Sequence, residues 1–352
     1  MSDFKVNSIA NKNGDFGPVI AGISTFNSTG CMTLPRGSTE RRGPRSRGVF
    51  GGGTVDPSNQ VVIDFINIQS LGNAIDFGDL PFAKDRPNGL GNATRGLFVG
   101  GRGPASPYYV NNIEYITISS QGNAEDFGDI SYSAWEVRGG NNDTRGIVGG
   151  GYLPNVNKNN IDFIQLATFG NGTDFGDLTY YVRGHAGTAS PTRVVWFGGL
   201  GNPDGTTQSD NSTKNNTITF VEIATTGNAE DFGTIETVMD SATAVSNGVR
   251  GFVTGGQAPG SFSASDIFVI TFATKGDATD FGDNLATSPS YLPNIGTVAN
   301  KNTAIVAGGV ANANVIQSFS MATTGQSADF GDLTVARYAP GGVSDSHGGL
   351  TE

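Results

Sequence analysis

GNAEDFGDI at residues 122–130 returns along the chain as GNAIDFGDL at 72–80, GNGTDFGDL at 170–178, GNAEDFGTI at 227–235, GDATDFGDN at 276–284 and GQSADFGDL at 325–333. A degenerate copy, NKNGDFGPV, stands at 11–19. Self-similarity at a period of about 49 residues makes each copy one unit of a repeat architecture, and that decides every local reading. Upstream of the six full copies lies an apolar run closed by a glycine pair: RGVFGGG at 47–53, RGLFVGG at 95–101, RGIVGGG at 145–151, RVVWFGG at 193–199, RGFVTGG at 250–256 and NTAIVAGG at 302–309. Between run and motif comes an aromatic stretch such as NIEYITI at 112–118.

Each unit therefore reads as four short strands: a small glycine-rich one such as AGTAS at 186–190, the run ending in the glycine pair, the aromatic stretch, and DFGDL. Neighbouring apolar residues in the third strand, Tyr115 with Ile116 and Phe163 with Ile164, predict burial on both of its faces. One unit cannot cover both faces alone, so the units must stack around an axis as the blades of an all-β propeller. From the third-strand Phe to the Phe of DFG is 12 residues in Phe65–Phe77, Phe163–Phe175 and Phe220–Phe232, and also in Phe4–Phe16. This spacing predicts one seven-bladed propeller over 1–352, with four-stranded blades and the last blade closed by both termini, about 1–20 and 339–352. Closure removes the open sheet edge that an unclosed ring would expose.

The 53 Gly and 15 Pro, with only 15% charged residues, suit many short strands joined by turns. A net charge of −11 argues against nucleic acid and an anionic membrane as partners, because both demand a basic footprint. The lone Cys31 excludes an internal disulfide and is read as an unpaired loop thiol. The opening MSDFKVNSIANKNG has neither a charged leader nor an apolar run, so no signal peptide or membrane insertion is expected.

Repetition also weighs against chemistry. Seven DFG copies without a catalytic loop or nucleotide loop are no kinase motif. Their Phe is expected to fill the gap between blades, and their Asp to accept N–H bonds in a tight turn. NAEDFGD is too sparse in oxygen ligands for a self-contained calcium loop. His185 and His347 lie several blades apart, too few and too distant for a copper site. Trp135 and Trp196 are read as packing residues. The arginines opening the second strand, Arg47, Arg95, Arg145, Arg193 and Arg250, are expected to pair with repeated aspartates, with Asn302 breaking the series. The reading is of a chain that is not an enzyme and carries no cofactor and no metal.

The glycine pair and the strand order resemble kelch propellers along the whole chain, although the kelch Tyr and Trp pair is lacking. The DFGDL form is similar to propeller proteins of marine bacteriophage particles, cyanophages among them, which are virion structural or tail-associated proteins. That resemblance implies a non-enzymatic docking component of a phage particle, made in the host cytoplasm and residing in the virion, with other virion proteins as partners. The alternative is an adhesin propeller that binds a host-surface glycan.

Function is expected where the period fails, since identical blades offer no unique site. From Pro18 to Arg47 there are 29 residues, against 16 from Asp79 to Arg95, and the irregular stretch of about 20–46 holds Arg36, Arg41, Arg42 and Arg45. The second departure is the polar segment 200–217, with Asp204, Asp210, Asn211 and Lys214. These eight residues are the expected partner-binding positions.

Overall fold

The computed structural model describes residues 25–26, 32–33, 46–104, 108–202, 213–257, 265–284, 295–309 and 313–346. The chain divides into two compact units, Met1–Pro44 and Arg45–Glu352. In the first, Thr25–Phe26 pairs antiparallel with Met32–Thr33. The described strands of the second form the propeller.

Each blade has four antiparallel strands, ordered from the axis outward. Blade 1 takes Gly341–Ser344, Arg47–Gly51, Val62–Asn67 and Ile75–Asp79. Blade 2 is Asn88–Gly91, Arg95–Val99, Asn112–Thr117 and Glu125–Asp129. Blade 3 is Arg138–Asn141, Arg145–Gly149, Val156–Gln165 and Thr173–Arg183. Blade 4 is Ala186–Ala189, Arg193–Gly201, Lys214–Glu222 and Glu230–Met239. Blade 5 is Thr243–Ser246, Arg250–Thr254, Asp266–Thr271 and Thr279–Asp283. Blade 6 is Gly296–Ala299, Thr303–Ala307, Val315–Ser320 and Ala328–Asp332. Blades 3 and 4 merge into one nine-stranded sheet because Val182 and Arg183 pair with Gly201 and Leu200.

The repeated GNAxDFGD motif is the joint between blades. Gly122 N–H donates to Phe77 O (2.8 Å), Ala124 N–H to Asp79 O (2.8 Å), and Asp79 N–H to Asn123 Oδ1 (3.0 Å). The same triplet joins blade 6 to blade 1: Gly72 N–H to Phe330 O (3.0 Å), Ala74 N–H to Asp332 O (2.8 Å), and Asp332 N–H to Asn73 Oδ1 (3.1 Å). The motif's Phe is buried at every joint, as expected. Its Asp is not in a turn but stands exposed in the outer strand. The glycine is required: Gly78 has φ 150°, and a Cβ there would lie 2.4 Å from Gly122 O.

Small residues at the axis have a similar cause. The innermost strands of adjacent blades converge so closely that a Cβ on Gly89 would lie 1.9 Å from Gly342 O. The second-strand arginines also tie neighbours together, but not through aspartate. Arg47 Nη1 donates to Ile118 O (2.7 Å), Arg95 Nη1 to Leu166 O (2.9 Å), Arg145 Nη1 to Ile223 O (3.0 Å) and Arg193 Nη1 to Phe272 O (2.6 Å). Arg250 reaches Met321 O in the same way. Each guanidinium also lies 4.6–5.4 Å from an aromatic ring of its own blade or the next. Of these five, Arg193 also bonds an acid, Glu222 (2.7 Å).

The ring among the described residues thus closes with six blades, which corrects the count of seven. The C-terminal strand Gly341–Ser344 pairs with Arg47–Gly51 rather than with 1–20, and residues 1–20 lie outside the described residues. Closure is sealed by an ion pair with both partners fully buried, Arg337 Nη1 to Asp64 Oδ2 (2.9 Å), with Thr334 hydroxyl also on Asp64.

Strand direction gives the ring two unlike faces. On one, the turn between first and second strands is always three residues (92–94, 142–144, 190–192, 247–249, 300–302), and the turn between third and fourth is always seven (68–74, 118–124, 166–172, 223–229, 272–278, 321–327). On the other, the connection from second to third strand runs from six residues (150–155) to twelve (100–111 and 202–213). We call the first the turn face and the second the loop face.

Candidate functional site

On the loop face, five links between an outer strand and the next inner strand that lie among the described residues each carry one residue in the left-handed conformation: Arg86 (φ 54°), Glu136 (φ 58°), Gly184 (φ 60°), Ser241 (φ 56°) and Ala339 (φ 58°). For the side-chain-bearing residues this costs on the order of 1–2 kcal/mol each. Bonds around the channel mouth hold the positions, with Arg86 N–H donating to Ala339 O (3.0 Å) and Ser241 N–H to Gly184 O (2.6 Å). Below the mouth lies an axial cavity of about 120 Å³, lined by backbone and by Asn88, Arg138, Asn141, Thr188, Thr243 and Thr297. Its hydroxyls and amides largely bond across the ring. Asn141 Nδ2 donates to Gly91 O (2.6 Å), and Thr297 Oγ1 to Ala244 O (3.0 Å).

The links entering blades 2 and 3 depart from the small residues found elsewhere around the mouth. Asp85, fully buried, accepts a two-point pair from Arg102, Nε at 3.0 Å and Nη2 at 2.9 Å. Arg86 bridges Asp85 (3.4 Å) and Glu136 (3.3 Å). Arg86 Cζ lies 4.6 Å from the centroid of the Trp135 ring, and Arg102 Cζ 4.7 Å from it. Tyr152 (5.7 Å) and Tyr109 (6.3 Å) flank the same indole, and Arg183 Cζ lies 4.4 Å from the Tyr152 ring. Tyr108 beside them is 51% exposed.

Arg138 stands between this cluster and the channel. Its Nη1 donates to Arg86 O (3.2 Å) and Val137 O (3.0 Å), and burial lowers its pKa to about 10. Under the cluster, Lys84 and Glu114 form a buried pair, with burial pushing the lysine down and the carboxyl up. Burial also raises Tyr109, reinforced by Tyr152. Guanidinium groups fixed by carboxylates and set against aromatic rings can bind and orient an anionic ligand that has an apolar face.

Of the eight partner-binding positions read from the sequence, Arg36, Arg41, Arg42, Arg45, Asp204, Asp210 and Asn211 lie outside the described residues. Lys214 is on the loop face, where Nζ pairs with Asp240 (2.6 Å) and donates to Gln257 O (3.1 Å). Trp196 is a packing residue, buried, with Nε1 donating to Arg138 O (2.7 Å). Trp135, read the same way, is instead half-buried at the centre of the loop-face cluster. The sequence signal for it was register: DRP at 85–87 and WEV at 135–137 occupy the link positions that hold RGH at 183–185 and DSA at 240–242.

His185 is buried, its Nε2 on Gly149 O (3.1 Å) and its pKa lowered to about 3, chiefly by burial and then by Arg138. His347 lies outside the described residues. Among the described residues, no three His, Cys, Asp or Glu side chains converge as a metal site. Comparison with known proteins finds no family model that matches the chain and no curated protein that matches it.

Proposed function

We propose that this chain is a non-enzymatic docking propeller, a structural component of a bacteriophage particle. The observation that supports it most is the division between faces: turns of fixed length on one side, and all the variation in second-to-third-strand connections on the other. A rigid disk whose variation is confined to one face is suited to presenting contacts rather than to turning over a substrate. The phage context rests on the DFGDL resemblance, and the kelch assignment on strand order and the glycine pair. Arg36, Arg41, Arg42 and Arg45 would supply an electrostatic contact to an acidic virion protein, from a chain that is otherwise acidic.

The test is the amount of this chain in purified particles, wild type against Arg41→Ser/Arg42→Ser, at two salt concentrations. We expect wild type at a fixed ratio to the major structural proteins. The variant should be depleted relative to wild type most strongly at low salt, and the difference should shrink at high salt, because exposed charge contacts are screened within about 10 Å at 0.1 M. Absence of the wild-type chain from particles would refute the docking reading. Equal occupancy of both proteins would remove only the arginine segment from it. A second reading, a glycan-binding propeller, is favoured by the Tyr109, Trp135 and Tyr152 cluster with its arginines.

A further inference from the structure

We infer that the axial cavity holds a short-chain carboxylate, such as acetate or propionate, at its loop-face end, with Arg138 as the cation and Asn88 as a second donor. The inference concerns the channel alone and is independent of both the docking and the glycan-binding readings.

Three observations carry it. The first is an open guanidinium edge. Arg138 lines the cavity and is half-buried. Its Nη1 is committed to two carbonyls, Arg86 O (3.2 Å) and Val137 O (3.0 Å), while Nε and Nη2 meet no acceptor among the described residues. Those two groups form the edge that gives a carboxylate two parallel bonds. Arg102 shows that geometry in this chain, with Nε and Nη2 on Asp85 at 3.0 and 2.9 Å. The carboxylates that act on Arg138, Glu136 and Asp85, are each engaged by another arginine, Glu136 by Arg86 (3.3 Å) and Asp85 by Arg102 (2.9 Å). Burial lowers Arg138 to about 10, a penalty on the cation that an anion in the cavity would offset.

The second is an orphaned amide. Asn88 stands first in the innermost strand of blade 2, as Arg138 does in that of blade 3, so the two lie at one level of the channel. Asn88 is 6% exposed and lines the same cavity. Its Oδ1 accepts Gly139 N–H (3.3 Å), which fixes the orientation of the amide, and its buried Nδ2 has no acceptor among the described residues. A buried donor left unbonded carries its full desolvation cost, which an acceptor oxygen in the cavity removes. Blades 6 and 1 place Gly296 and Gly341 at the same position, so no side chain fills the space from there.

The third is size and wall. A cavity of about 120 Å³ is well short of the roughly 300 Å³ at which sites for larger ligands begin. Benzene occupies one of about 150 Å³, so an acid of about two to four carbons fits. Pro87, Ala242, Ile295, Ala339 and Pro340 give its stem an apolar wall. Sulfate or phosphate would turn its remaining oxygens toward these side chains, which offer no donors.

The experiment is NMR titration of the full chain, labelled at Ile and Ala methyls, with acetate, propionate, acetamide and sodium sulfate. Acetate or propionate should shift the methyls of Ile295, Ala242 and Ala339 saturably, and bind at least tenfold more tightly than acetamide or sulfate. Arg138→Lys keeps the charge and removes the fork. Asn88→Asp keeps the acceptor for Gly139 N–H and puts a negative charge where the donor stood. Each should weaken carboxylate binding at least fivefold, with thermal melts to establish that the variants fold.

In the wild-type chain, saturable shifts confined to other methyls, or no saturable shifts, would overturn the inference whatever the variants do. Acetamide binding as tightly would mean that the charge is not used, and sulfate binding as tightly would reduce the cavity to a simple anion site; either overturns the carboxylate assignment. Unchanged affinity in either variant, once folded, would overturn it equally. The docking reading stands or falls apart from all of these.

Discussion

His185 is a buried imidazole at the start of blade 4, and its ionisation is linked to the stability of the ring. Its folded value of about 3 lies below the ordinary 6.5, so below pH 6.5 the unfolded chain takes up a proton that the folded chain does not. The resulting stabilisation is complete above the unfolded value and is lost as pH falls toward 3, by up to about 1.4 kcal/mol per pH unit. His185→Gln keeps a donor for Gly149 O and removes the titration. Denaturant unfolding at pH 7 and pH 5 should show the stability difference shrinking by about 2 kcal/mol in the variant. Equal differences in the two proteins would mean that His185 is not buried as described.

At this scale, residue type was legible where burial alone decides it. Phe127 and its equivalents could be placed because a large apolar side chain at a fixed period must fill a joint. Arginine partners could not be placed. Arg95 bonds Leu166 O in the next blade, and a backbone carbonyl leaves no residue-type signature to match.

Among the elements, the second strand of blade 6 lacks its tie to the next blade. Thr303 N–H is capped by Asn300 Oδ1 (2.8 Å), as Arg250 N–H is by Asn247 Oδ1 (2.8 Å), so Thr303 rather than Asn302 holds the arginine position. The equivalent acceptor across the seam is the carbonyl of Ile68, whose N–H donates to Ser46 O as Ile118 N–H does to Thr94 O. Thr303→Arg should restore the missing tie and stabilise the protein by about 0.5–1.5 kcal/mol, read as a higher Tm. A lower Tm in a folded variant would show that blade 6 meets blade 1 differently from the other joints.

The blade count went astray here too. Phe4–Phe16 copies the spacing of a blade, but spacing cannot say which strand supplies the edge. The deciding pattern was the innermost strand: the run at 47–53 has none in its own repeat, and GGVS at 341–344 completes it. Asp345 then caps Arg47 N–H (2.9 Å) as Asn92 caps Arg95 N–H (2.9 Å), one turn assembled from two distant segments.

Across the whole molecule, closure depends on that borrowed strand. Removing 339–352 takes away Gly341–Ser344 and the Asp345 cap, and leaves Arg47–Gly51 with an open inner edge. We expect aggregation and a broad, low-amplitude melt in place of a cooperative one. Size-exclusion chromatography with calorimetry checks it, and a monomer that melts as sharply as the full chain would refute closure through this strand. The fold was legible because six near-identical copies state one geometry repeatedly. The candidate site was not, because it is assembled from links and loops of two blades at positions where the repeat imposes no residue type, and Trp135 reads alone as one more packing aromatic.

The seam in blade 1 has a further consequence. Asp345 N–H donates to Arg47 O (3.1 Å), so residues 46 and 346 leave the ring side by side, on the turn face. A tether attached at either point therefore pulls from behind the disk and orients it, with every variable connection directed away from the anchor. Immobilised through that side, the propeller would turn its loop face outward in a single pose, and a probe coupled there would stand clear of it.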